Sequence, residues 1–473
     1  MRISFVNAVT WVFSGRLRQR ILPVAAILDA ILYDTDDRSV SRRIAIITFV
    51  VRIVSAGIAY VSQVLLARWM GSFQYGIFVV VWVGAVIAGG IACLGIQTAV
   101  LRFIPEYTER GEIHLMRGVI VGSRIQGAVA STILALIGAL GLYEFGHDLS
   151  SYYLIPLYLS AVTLPMLAIA EVQDNLSRAF NWADLSLWPT YIVRPVIILV
   201  FMGLAVRFGA RPDAVTAMGA VIAATYVTSI GQLIWLGRRM KKTVPAGPRQ
   251  YAPVQWMAIA LPIFVVEGFF NLLTNIDVIM VGHFMQPDQV GVYFAAAKTL
   301  ALVHMVYYAV RVGGAQRFSK YYSSGDHARL AAFVHDTLHW TFWPSLGLVV
   351  FLLIVGRPLL TLFGPTFDSG YPLLYVLSAG ILVRASIGPA ESLLTMAGQQ
   401  GISAIIYTAT FALSVALNVI LIPRFGLMGA ASATSLALCA ETIALYTITA
   451  TRLGIRCSIL TAFKSTPPSV ELG

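Results

Sequence analysis

Beyond residue 43 the chain alternates long apolar runs with short polar stretches, and none of the runs shows the every-second-residue alternation of a strand. The first six runs cover residues 44–67, 76–100, 119–142, 153–170, 187–206 and 214–236. A second six cover 258–281, 290–313, 338–355, 371–396, 402–421 and 428–450. At about 1.5 Å per residue, each reaches across about 30 Å of hydrocarbon as a helix. Lipid offers no hydrogen bonds, so backbone groups must pair within each run, which a helix does and a lone strand cannot. Twelve transmembrane helices are expected.

Between the sixth and seventh runs, Arg238, Arg239, Lys241, Lys242 and Arg249 are mixed with Pro245, Gly247 and Pro248. This charged, turn-rich stretch reads as a cytoplasmic linker. Either side of it, ARWMGSFQYGIF (67–78) echoes GHFMQPDQVGVY (282–293) at an offset of 215 residues. Only a Met, a Gln and a Gly coincide, but each stretch is the first outer turn of its half, and paired six-helix halves are a recurrent transporter plan. The expected fold is all-α: a polytopic membrane protein with two six-helix bundles related by a pseudo-two-fold axis normal to the membrane. The expected divisions are a cytoplasmic tail with a short interfacial helix (1–43), a first bundle (44–237), the linker (238–253), a second bundle (254–450) and a cytoplasmic C-terminal tail (451–473).

Composition removes the soluble alternative. Hydrophobic residues make up 58% and charged residues 12%, where soluble domains carry roughly 25% charged residues. The net charge of +11 would suit a polyanion-binding protein, but Lys and Arg sort by loop. The N-terminal tail, the even-numbered loops and the C-terminus hold 22 of them, the odd-numbered loops five. That bias places both termini in the cytoplasm and makes the charge a topology signal, so no nucleic acid partner is expected. Cys93, Cys439 and Cys457 are far apart, without metal-ligand spacing, so neither a disulfide framework, a zinc site nor any cofactor is expected. There is no nucleotide-binding loop and no catalytic constellation, and the longest outer loop (356–370) leaves no room for an extramembrane catalytic domain. A transporter is expected, not an enzyme.

Ten ionisable residues fall inside the runs: Arg52, Arg124, Arg194, Lys298, Arg311, Arg384, Glu267, Asp277, Glu391 and Glu441. Each would cost roughly 2.5–3.5 kcal/mol facing lipid at the membrane centre. They are expected to face one another or a hydrated cavity. Helical spacing puts Arg52, Ser55 and Gln63 on one face, Glu267, Asn271, Thr274 and Asn275 on another, and His304, Tyr308 and Arg311 on a third. The 215-residue offset matches Arg52 to Glu267, on opposite walls of one cavity, either as part of a site or as a structural pair. Asp277 and Lys298 read as a structural pair, Arg384 and Glu391 as a packing pair at i, i+7, and Arg194-Pro195 as a kink. His335 and His339 beside Trp340 and Trp343 read as an interfacial belt rather than a metal site, and Gly71, Gly76 and Gly291 as residues that permit tight outer turns.

Four stretches, in order, carry a family resemblance: LLARWMGSFQYGIF (65–78), GIQTAVLRFIPEY (95–107), IDVIMVGHFMQPDQVGVYFAAAKTL (276–300) and ALNVILIPRFGLMGAASAT (416–434). They resemble the helix one–two junction, the exit of helix two, the helix seven–eight hairpin and the helix eleven–twelve hairpin of one branch of transporters. This is the polysaccharide flippase branch of the multidrug/oligosaccharidyl-lipid/polysaccharide exporter superfamily. The resemblance implies a protein of the bacterial inner membrane that moves a polyprenyl-diphosphate-linked oligosaccharide by alternating access through a cationic central cavity. Its product would enter lipopolysaccharide, capsule or exopolysaccharide.

On that reading Arg52, Arg311 and Lys298 hold the diphosphate, because a guanidinium fork pairs two oxygens. Asn271, Asn275 and Gln63 meet sugar hydroxyls, and Glu267 holds Arg52 in the empty state or takes a coupling cation. The partners implied are the lipid-linked oligosaccharide, membrane lipid, a coupling cation, and polymerase and export machinery. Two alternatives stand beside it: a cation-coupled multidrug exporter of the same superfamily, which Glu267 and Asp277 would suit, and a membrane glycan polymerase.

Overall fold

Among the described residues of the computed structural model every regular element is helical. The structure describes residues 37–324, 326–455 and 457–459, with side chains from Val51 onward except at 52, 308, 312, 313, 315, 316, 319, 320, 323, 327 and 400. The tail expected to lie on the membrane surface, the side chain of Arg52, that of Tyr308 and most of the C-terminal tail fall outside the described residues. By its contacts the chain divides at Gly57, and the larger unit, Ile58–Gly473, contains the cores of both bundles.

The amino-terminal half contributes α1 (Asp37–Ala92), α2 (Ile96–Glu109), α3 (Ile113–Phe145), α4 (Ser151–Ala179), α5 (Ala183–Trp188), α6 (Arg194–Arg207) and α7 (Ala214–Thr243). The other half contributes α8 (Pro253–Phe284), α9 (Pro287–Leu300), α10 (His304–Ser323), α11 (His327–Thr361), α12 (Tyr371–Ala385), α13 (Ala390–Met396) and α14 (Gln400–Arg452). Ten helical runs among the described residues are long and apolar enough to cross a membrane. Two of them, of 40 and 52 residues, are about twice the length a bilayer needs. Each contains a break, at Gly71 (φ 74°) and at Gly426 (φ 58°), left-handed conformations open to glycine. Divided there, the ten runs supply the twelve expected crossings.

Helices overrun the apolar windows that announced them: α4 continues to Ala179 and α11 starts at His327. Backbone hydrogen bonding propagates past the edge of the hydrocarbon, so hydropathy marks the membrane and not the helix end. The tenth run is two helices rather than one, because Gly388 (φ 54°) and Pro389, which has no N–H, end the first. Where the kink is expected, at Arg194-Pro195, the Arg194 N–H bonds to the Pro189 carbonyl five residues back, a π turn over Pro189–Val193.

The apolar cores are arranged unevenly. At the face carrying the Gly71 break, one cluster unites Leu66, Tyr75 and Ala217 of the first half with Tyr293, Phe363 and Leu374 of the second. At the opposite face, which carries the linker, two separate clusters form. One contains Val100, Ile104 and Leu176, the other Leu330, Leu394 and Leu445. The bundles therefore share a core at one face, while at the other the two cores are separate and only the start of α8, through Trp256 and Ala260, joins the amino-terminal one.

Candidate functional site

The echoing stretches of the two halves pack against each other at the fused face. A Cβ at Gly76 would lie 1.6 Å from the Pro287 carbonyl oxygen, and one at Gly291 would lie 2.8 Å from that of Ser72. Both glycines sit inside helices, so close helix approach, not a tight turn, is what they permit; only Gly71 has the turn conformation expected of all three. Beside them the Tyr60 hydroxyl lies 3.1 Å from Thr299 Oγ1, and Arg68 donates through Nε to the Leu362 carbonyl at 2.6 Å. These contacts hold the two halves together at this face.

At the linker face α8 crosses from one core to the other. Its first turns belong to the amino-terminal cluster through Trp256 and Ala260, and the Trp256 indole donates to the Tyr107 hydroxyl at 3.0 Å. The linker is strapped down as well: Arg117 donates to the carbonyls of Pro245, Ala246 and Pro248. The far end of α8 places Val278 and Val281 in the shared core. Between those anchorages lies the polar stripe expected from the sequence.

On that stripe Glu267 and Thr274 are exposed while Asn271 and Asn275 are half-buried. The Asn275 amide donates to the carbonyl and side-chain oxygens of Asn271 at 3.0 and 3.1 Å, and Asn271 lies against Gly90 of α1. Lys298 on α9 and His304 at the start of α10 are exposed.

Four of the in-span charges form a chain. Arg311 meets Glu391 Oε1 at 3.1 Å; Glu391 Oε2 accepts from the Tyr307 hydroxyl at 3.0 Å and from Arg384 at 3.3 Å; Arg384 Nε donates to Glu441 at 3.0 Å. The side chains of Arg384, Glu391 and Glu441 are 12%, 8% and 7% exposed, whereas that of Arg311 is 41% exposed. Arg384 also donates to the Gly388 carbonyl that the helix break leaves free. Arg384 and Glu391 do pair, but across this break rather than along one helix.

Asp277 and Lys298 do not form the ion pair expected of them. Asp277 is taken by the Tyr293 hydroxyl (2.8 Å) and by the backbone N–H of Val278 (2.9 Å), while the Lys298 ammonium sits 4.9 Å from the centre of the Phe294 ring. A local hydroxyl satisfies the carboxylate with less ordering of a long side chain than a lysine would need. Gln63, half-buried on α1, accepts from Tyr75 at 2.9 Å.

The fourth run, expected to end at residue 170, stops short of where α4 ends. Glu171 and Arg178 were expected in a loop, but they are exposed positions on a helix that continues through them, with Asp174 buried between. The i, i+7 spacing of Glu171 and Arg178 was the available signal.

A family model described as polysaccharide biosynthesis protein matches residues 41–312, more than half of the chain. The chain belongs to this family. A second model, MatE, matches residues 262–420. Among curated relatives, the probable low-salt glycan biosynthesis flippase Agl15 of Haloferax volcanii is 24% identical over 413 residues, spanning 85% of this chain and 82% of that protein. The fold is shared with the inward-facing form of a multidrug resistance MATE family transporter of the MOP superfamily (TM-score 0.69, 14% identity, 88% of this chain and 96% of that one). It is shared too with the lipid II flippase MurJ in an inward closed conformation (TM-score 0.65, 14% identity, 85% and 87%). This member of the polysaccharide biosynthesis family is thus a multi-pass membrane protein with the two-bundle fold of known transporters, and the relatives named are transporters and flippases rather than enzymes.

Proposed function

We propose that the protein is a flippase that carries a polyprenyl-diphosphate-linked oligosaccharide across the bacterial inner membrane for cell-surface polysaccharide assembly. A diphosphate bearing several sugars cannot cross about 30 Å of hydrocarbon unaided, because its charges and hydroxyls lose their hydration. A wet, charged cavity substitutes for that hydration while the polyprenyl tail stays in lipid. The observation that carries the reading is the run of polar and charged side chains on α8–α10 that are exposed or partly exposed, Glu267, Lys298, His304 and Arg311, in a member of the polysaccharide biosynthesis family.

In this reading Arg52, Lys298 and Arg311 engage the diphosphate; Gln63, Asn271 and Asn275 offer hydrogen bonds to sugars; Glu267 balances the cations or takes a coupling cation. Both termini and the linker face the cytoplasm, so the substrate enters at the face where the cores are separate. The two bundles, 44–237 and 254–450, then rock about the shared core. Export of a cationic drug is disfavoured by an exposed lysine on the wall.

Deleting the protein should trap the lipid-linked repeat unit on the cytoplasmic leaflet, read by its accessibility to a membrane-impermeant glycosidase in inverted and right-side-out vesicles. In the same assay Arg52→Ala and Lys298→Ala should abolish export, while Arg52→Lys keeps part of it. Undiminished export from both alanine variants would overturn the diphosphate assignment, and a deletion strain that exports single units without polymerising them would favour the polymerase.

A further inference from the structure

The pairing of Arg311 has a consequence for how the cavity meets an anion. Arg311 is the one partly exposed member of the buried chain, and its guanidinium is already occupied by Glu391 Oε1 at 3.1 Å. Glu391 is held from behind: its second oxygen accepts from Tyr307 and from Arg384, and Arg384 is in turn anchored by Glu441. The backbone adds rigidity, because the turn between α12 and α13 gives its Gly388 carbonyl to Arg384 and its Ser386 carbonyl to the N–H of Ile459. Glu391 is therefore a fixed carboxylate presented to a guanidinium that is itself partly exposed.

We infer that Glu391 is a resident counter-anion, a specificity-determining residue that occupies Arg311 in the empty carrier and that the substrate's diphosphate must displace. This rests on the proposed function. A fork already satisfied by one carboxylate repels or ignores a weak single anion. A diphosphate, with more charge and more acceptor oxygens, can outcompete the carboxylate. The displaced Glu391 is not stranded, since Arg384 and Tyr307 still hold its other oxygen. The same resident carboxylate reclaims Arg311 when the headgroup leaves, which assists release. Binding is weakened by the fraction of carriers in which Arg311 is already taken, and removing the competitor removes that penalty.

The test is titration of the purified full chain in detergent with inorganic pyrophosphate as probe, by calorimetry. Glu391→Gln keeps the shape and the Tyr307 contact but drops the charge; it should bind pyrophosphate about tenfold more tightly, as expected if Arg311 is about nine-tenths occupied by Glu391. Glu391→Asp keeps the charge beside Arg384 while its shorter stem falls short of Arg311, so it should tighten binding by a few-fold and carries the test if the glutamine variant fails to fold. Adding Arg311→Gln to either should erase the gain. If both Glu391 variants bind as the wild type does while Arg311→Gln alone weakens binding, the resident-anion role is overturned and the diphosphate reading survives. If Arg311→Gln changes nothing in any background, both the inference and the Arg311 contact in the proposed function fall.

Discussion

The amino-terminal bundle buries one carboxylate, Asp174, between α4 and α7, and satisfies it with a neutral amide: Gln232 Nε2 donates to it at 2.7 Å and to the Leu185 carbonyl at 2.8 Å. Arg194, the first residue of α6 after the π turn, has its guanidinium 5.7 Å from the centre of the Trp82 ring. The carboxyl-terminal bundle does the reverse, burying two carboxylates between two arginines in an alternating chain. An amide network is fixed, because each donor has one geometric choice. An alternating ionic chain can shift partners, because Glu391 at its centre has two cations beside it, Arg311 and Arg384. The exchangeable network is the one whose end, Arg311, is partly exposed.

That contrast can be broken by substitution. The largest effect is expected from Arg384→Met, which leaves Glu391 and Glu441 together without their shared cation; removing one partner from a buried network destabilises by about 3–5 kcal/mol. Melting of the detergent-solubilised protein should fall sharply, and an unchanged melting temperature would mean the chain is solvated and not buried. A smaller loss, about 1–2 kcal/mol, is expected from Arg311→Gln, since Glu391 keeps Arg384 and Tyr307 and Arg311 is partly exposed. The smallest is expected from Asp174→Asn, within about 1 kcal/mol, because the asparagine oxygen still accepts from Gln232. Should Asp174→Asn prove more damaging than Arg384→Met, the two bundles have been compared the wrong way round.

The stripe on α8 was legible from spacing alone, since i, i+4, i+7, i+8 is a property of one helix. The helical nature of the spans was legible for a similar local reason. The role of Glu391 was not. Its partner on α10 lies 80 residues earlier, and its own position depends on a break that hydropathy, blind to Gly388 and Pro389 inside an apolar run, passes over. Glu171 and Arg178 were hidden by the opposite error: a charged stretch was taken for the end of a helix that only leaves the hydrocarbon there. Asp277 and Lys298, similar in depth on adjacent helices, were an inviting pair, but a tyrosine one hairpin away is the nearer partner.

Taken by itself, the chain's order of residues determined how many times it crosses the membrane and which residues are too polar to face lipid. Both follow from costs that accumulate along a single segment: unpaired backbone groups and desolvated charges are penalised wherever the neighbours lie. Which of those polar residues meet each other, and which keep a side exposed, was decided only in three dimensions. An ion pair needs two groups within a few ångströms, and that separation is set by helix breaks, glycine contacts and the shared core at one face, none of which is a property of either residue.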